Sequence, residues 1–127
     1  MKKYLAKSTE SSLNSKNKFA MFIGRWQFWH KGHRWLIDQA LNDGKKVLLC
    51  IRDVDVDGDK NLWTSQQIYF NLSNELADLI EEGRVHVMII PDIESVNIGR
   101  GIGYDVIEHV PPEEIAEISA TKIRSSL

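Results

Sequence analysis

The chain has 127 residues, 16 Lys and Arg against 18 Asp and Glu, and a formal net charge of -2. That length suits one domain with its own core. The balance argues against a general nucleic-acid coat or a basic membrane binder, no apolar stretch reaches bilayer length, and the single cysteine excludes an internal disulfide.

The first residues, "MKKYLAKSTESSLNSKNK", are rich in Lys, Ser and Asn and have no apolar segment. They read as a mobile tail over 1–17, not a secretory signal, with the domain running over 18–127 in the cytoplasm. Then comes "FAMFI" at Phe19–Ile23, the first of three continuous apolar runs; the others are "VLLCI" at Val47–Ile51 and "VHVMII" at Val85–Ile90. None alternates, so each reads as a strand covered on both faces, as in a parallel sheet. Cys50 lies inside the second run and reads as a buried core thiol.

Between the runs the period changes to helical. Leu36, Ile37, Ala40 and Leu41 form one face of a short helix, with Gly44 as its stop. Ile68, Leu72, Leu76, Leu79 and Ile80 form the stripe of a second, capped at Thr64 or Ser65 and ended by Gly83. The order strand, helix, strand, helix, strand predicts a small doubly wound parallel α/β sheet. Its ligand edge lies beyond the strands' carboxyl ends. The remainder reads as a strand near Val106–Val110, a turn at Pro111–Pro112 and a short final helix from Ser119 or Ala120.

Three segments fall at that edge: "GRWQFWHKGH", "RDVDVDGDKN" and "PDIESVNIGRGIG". His30 and His33 stand in the first turn of a helix, three residues apart, so they share a face. A helix N-terminus favours anions. Gly32 lets a phosphate approach the backbone, and two histidines can donate hydrogen bonds to charge growing on a leaving group. The other readings are a surface pair or a two-histidine metal site, for which no third ligand stands nearby. "DVDVDGD" lacks the glutamate that closes a calcium loop, since none follows before Glu75. Trp63 can stack on a base or pack. "NIGRGIGYD" is either a flexible loop or a cover over the ligand edge with Arg100 on phosphate. His86 and His109 read as structural.

"GRWQFWHKGH" resembles the G-R-F-x-P-x-H-x-G-H signature of the nucleotidylyltransferase superfamily. "ISATKIR" at Ile118–Arg124 resembles that superfamily's second signature, I-S-x-T-x-I-R, and "KNLWTSQQ" is similar to a third, weaker segment. The likeness is greatest to nicotinamide-mononucleotide adenylyltransferases and related small enzymes. It implies a Rossmann-like nucleotidylyltransferase fold. It also implies transfer of a nucleoside monophosphate, AMP from ATP first, onto a phosphate-bearing small molecule with release of pyrophosphate. CTP is the alternative donor, and a nucleotide-binding module without catalysis is the rival reading.

Residue by residue, the resemblance puts Gly24 beside the nucleotide and His30, His33 and Lys122 on the reacting phosphates. Arg25, Trp26, Gly32, Ser119, Thr121, Arg124 and Arg100 fall on nucleotide-binding positions, and Arg52 and Trp63 near the acceptor. Mg2+ travels on the phosphates, with no dedicated metal ligand. Neither nucleic acid nor membrane is a partner, and self-association stays open. The chain departs from the pattern at Phe28, where proline is usual, at the bulky Trp26 and Trp29, and at Gln66–Gln67–Ile68, where relatives carry Glu-Arg; Arg52 can stand in. A short loop also replaces the crossover helix after the third strand.

Overall fold

The computed structural model describes residues 17–117. Three strands, β1 (Phe19–Gly24), β2 (Lys46–Asp53) and β3 (Val85–Pro91), alternate with helices α1 (Lys31–Asn42), α2 (Ser65–Glu75) and α3 (Ala77–Glu81); a single turn, α4 (Glu113–Ala116), follows. The sheet is parallel in the order β1-β2-β3.

Register explains the core. Phe22 pairs with Leu49 and Leu49 with Val87, so Ala20 and Phe22, Val47, Leu49 and Ile51, and Val85, Val87 and Ile89 share one face. Ile37, Ala40 and Leu41 of α1 and Ile68 and Leu72 of α2 join those residues in one cluster, and most of its members are almost fully buried. Both helices therefore pack on the same face, as successive right-handed crossovers in this strand order require. Each buried Leu or Ile contributes about 1.5–3 kcal/mol. Because the strands are parallel, Gly24, Asp53 and Pro91 end at one edge, and the site is built there.

Local chemistry sets the element ends. The Thr64 hydroxyl accepts from Gln67 N–H while the Gln67 side chain accepts from Thr64 N–H, a reciprocal capping box. Gly44 (φ 75°) and Gly83 (φ 74°) take the left-handed conformation that closes the helices before β2 and β3.

Three expectations need correction. The stripe Ile68–Ile80 is not one helix: the chain turns at Leu76 (φ -109°, ψ 19°), which is itself buried, and Leu79 and Ile80 still reach the core from α3. No strand forms at Val106–Val110; these residues are irregular, with Val106 and Val110 more than three-quarters exposed. A parallel strand needs a crossover of a dozen or more residues, usually helical. Here the link from β3 is an irregular run of exposed residues with Gly101 and Gly103 at positive φ, and Pro111–Pro112 offer no N–H to extend a ladder. In consequence the described sheet is not doubly wound. Its order matches the first half of such a sheet, in which the reversal comes when a fourth strand joins the free side of β1. The segment that carries His109 does approach β1, since its imidazole stacks on Phe22 at 6.0 Å, but it makes no ladder there. The fold shown is a small, generically Rossmann-like α/β unit.

Cys50 is fully buried, as expected, and burial pushes its thiol up to about 12. No helix among the described residues is long and apolar enough to cross a membrane.

Candidate functional site

The loop from β1 to α1 carries the site. His30 is the N-cap of α1: its Nδ1 accepts from Gly32 N–H at 3.0 Å and from His33 N–H at 3.4 Å. An imidazole nitrogen that accepts cannot carry the proton, so His30 is neutral while it caps and its proton sits on Nε2. Partial burial also lowers its pKa. The His33 ring stacks on His30 with centroids 3.8 Å apart and planes 16° apart. Burial first, and then the proximity of His30, bring His33 down to about 4. Its Nδ1 is buried without a hydrogen-bond partner among the described residues. An unpaired buried N–H is rarer and more costly than an unpaired acceptor, which favours the tautomer protonated at Nε2. The pair thus offers two neutral Nε2–H donors near pH 7, not two cations.

This geometry revises the reason for Gly32. A Cβ there would stand 2.8 Å from His30 Cε1, so the residue makes room for the capping imidazole. It also revises the anion argument: the N–H groups of Gly32 and His33 turn onto His30. A phosphate would meet the histidine edges or displace the cap. Gly24 has a parallel explanation, since a Cβ there would lie 2.9 Å from Trp26 Cε2.

Trp26 holds an unusual conformation, φ 53° in a bulky residue, which costs on the order of 1–3 kcal/mol. Its indole is buried, its Nε1–H donates to the Cys50 carbonyl at 2.9 Å, and its ring meets His33 edge-on at 5.1 Å. Trp29 packs beside both, at 5.8 Å from Trp26 and 5.3 Å from His33.

The loop after β2 is stitched to the same place. Gln27, only 5% exposed, accepts from Leu62 N–H (2.9 Å) and Trp63 N–H (3.0 Å) through Oε1 and donates from Nε2 to the Trp63 carbonyl (3.0 Å). Trp63 meets Phe28 edge-on at 4.3 Å, so its ring packs within the loop. Asp57 organises the loop before it, accepting from the N–H groups of Asp59 and Asn61 and from the Asn61 amide, bonds that hold its carboxyl below the usual range. Asn61 then accepts from Arg25 Nη1 at 3.4 Å. Ser65 donates to Asp53 at 2.6 Å, tying the start of α2 to the end of β2.

The structure therefore brings Gly24, Trp26, His30, Gly32 and His33 into one cluster, with Arg25 and Trp63 linked to it through the second loop. Arg52 stands at the same sheet edge but is paired with Asp92 at 2.8 Å; it lines, with Ile23, Ile93, Glu94, Ser95 and Val96, a shallow cleft of about 370 Å3. Arg100 is exposed in the loop after β3, and its side chain makes no hydrogen bond or ion pair among the described residues. Ser119, Thr121, Lys122 and Arg124 lie outside the described residues, as does all of the expected tail before Asn17. His86 is buried in β3, and the His109 ring stacks on Phe22 of β1.

Sequence reasoning passed over Gln27 and Asn61. A signal existed for Gln27: a polar side chain inside "WQFW" must find partners if its neighbours are buried. Nothing in the pattern marked Asn61. Scanning the chain against family models, curated proteins and solved structures gives no match.

Proposed function

We propose that the chain is a nucleotidyltransferase, which moves a nucleoside monophosphate from a triphosphate, ATP or CTP, onto a phosphate-bearing small molecule and releases pyrophosphate. The observation that carries this reading is the stacked His30–His33 pair. It sits at the carboxyl end of β1, with His30 kept neutral by its capping bond and His33 shifted toward the neutral form by burial. The sequence resemblance of "GRWQFWHKGH" and "ISATKIR" supports it.

In this mechanism an acceptor phosphate oxygen attacks the α-phosphorus, the bond to the bridging oxygen of the β-phosphate breaks, and pyrophosphate leaves with the electron pair. No protein nucleophile takes part. The Nε2–H groups donate to the oxygens on which negative charge grows, a stabilisation that needs no reorganisation because stacking and capping have already fixed the rings. Arg25 would exchange its 3.4 Å bond to Asn61 for phosphate, and Ser119, Thr121, Lys122 and Arg124 add donors by resemblance. Three carboxylates of this edge are committed, Asp53 to Ser65, Asp57 to its own loop and Asp92 to Arg52, while Asp55, Asp59 and Glu94 stand exposed. Such a site suits a magnesium ion that arrives on the phosphates and completes its shell with water.

The rival is a nucleotide-binding module without catalysis; the first N–H groups of α1, spent on His30, weigh on phosphate binding in both readings alike. Thermal unfolding with Mg2+ and each of ATP, CTP, GTP and UTP tests binding and names the donor, since a ligand of the native state raises the midpoint. Pyrophosphate release with a panel of phosphate-bearing acceptors separates the enzyme from the module. No shift with any triphosphate contradicts both.

A further inference from the structure

We propose that Trp26 is a positioning residue for His33: its left-handed turn after β1 and its indole anchor on the Cys50 carbonyl set the wall that fixes the imidazole.

Trp26 combines features that local packing alone does not demand. A tryptophan at φ 53° is strained, and a glycine would hold the turn at no steric cost. What only the tryptophan supplies is a rigid ring with a donor at one end. The donor is used on a strand carbonyl 24 residues away, at 2.9 Å. This fixes the indole relative to β2, not merely to its own loop. Gly24 leaves the room the indole occupies, with no Cβ to strike Cε2. The indole then meets His33 at 5.1 Å with planes 88° apart, Trp29 lies against it at 5.3 Å, and His30 stacks on it at 3.8 Å. His33 is thus enclosed by three rings. Only the Trp26 ring is anchored to the sheet.

The consequence is a ring held in one orientation, with Nδ1 shut away from water and polar partners. Enclosure also disfavours the imidazolium. The titratable group in contact with it is His30, stacked on it; Lys31 and Arg34 share α1, Arg34 paired with Asp38, and α4, which carries Glu113 and Glu114, packs against α1. The role in turnover rests on the function proposed above, but the positioning itself does not.

Two variants test it. Trp26→Phe keeps an apolar ring and removes the anchor; Trp26→Gly relieves the turn and removes the wall. The readout is histidine NMR of the full chain, following the His33 ring nitrogens through a pH titration, with urea unfolding to establish that each variant is folded. In the wild type His33 titrates near the acid end with a single tautomer. In Trp26→Phe the midpoint rises by about one pH unit and the tautomers mix; in folded Trp26→Gly the midpoint moves further toward an ordinary histidine. If Trp26→Gly does not fold, Trp26→Phe decides alone. An unchanged His33 titration and tautomer in folded Trp26→Phe overturns the proposal. In pyrophosphate release, Trp26→Phe should lower kcat about 10-fold with KM within 3-fold, as expected for a misplaced group. A wild type without activity, together with a shifted His33 in the variant, defeats the function and leaves the positioning intact.

Discussion

The Gln27 clasp permits a worked prediction. Gln27 is nearly buried and makes three hydrogen bonds to the backbone of Leu62 and Trp63. Gln27→Met keeps the approximate volume and removes all three. At about 1 kcal/mol net per bond, the loss is about 3 kcal/mol, and the half-buried N–H groups left behind add to it. With a urea m-value of about 1.5–2 kcal/mol/M for a chain of this size, the midpoint should fall by about 1.5–2 M. Gln27→Glu keeps both acceptor bonds but buries a carboxylate and sets an oxygen against the Trp63 carbonyl, so it too should lower the midpoint at pH 7. Urea unfolding followed by tryptophan fluorescence should therefore place both variants below wild type. A Gln27→Met variant within about 0.5 kcal/mol of wild type refutes the reasoning, since it would mean that the two loops do not depend on the clasp.

Other outcomes follow from the same geometry. Gly24→Ala places a Cβ 2.9 Å from the Trp26 ring and should destabilise by about 1–3 kcal/mol in urea, whereas Gly99→Ala, where a Cβ meets open space, should not. The folded His33 pKa, about 4, lies below the unfolded value of 6.5, so the unfolded chain binds more protons between them; stability should fall as pH drops from about 6.5 to 4, by on the order of 2–3 kcal/mol. His33→Gln should flatten that decline in urea midpoints. The buried Cys50 thiol, pushed up to about 12, should resist thiol reagents in the native chain and react once urea unfolds it. By resemblance, Arg124→Ala should weaken triphosphate binding by about 1.5–3 kcal/mol in calorimetry and leave monophosphate binding nearly unchanged.

The parts of the fold read from sequence are those governed by continuous burial and by caps. "VLLCI" and "VHVMII" stand where β2 and β3 run, and Thr64 is the cap that its position before "SQQI" suggests. The break at Leu76 was not legible, because the apolar stripe continues across it. The strand expected at Val106–Val110 failed for the opposite reason. Its residues have β-forming side chains, but pairing depends on a crossover that the link after β3 does not form. At the candidate site, "HKGH" falls where the ring cluster forms, but the structural roles of its residues were not legible. His30 works first as a cap, and Gly32 makes room for an imidazole. Those roles depend on ring orientation, which spacing does not encode. Nor could spacing show that Trp26 is buried and reaches Cys50, 24 positions away.

The most direct test of the account is pyrophosphate release by wild type and by His33→Ala. The assay uses the triphosphate that raises the unfolding midpoint, Mg2+ and a phosphate-bearing acceptor, and nucleotide affinity is measured alongside. A donor that acts mainly on the leaving group predicts a fall in rate of about two to three orders of magnitude with affinity changed by only a few-fold. Equal release from the two proteins, or a loss confined to nucleotide affinity, contradicts the assignment of His33 to the chemistry.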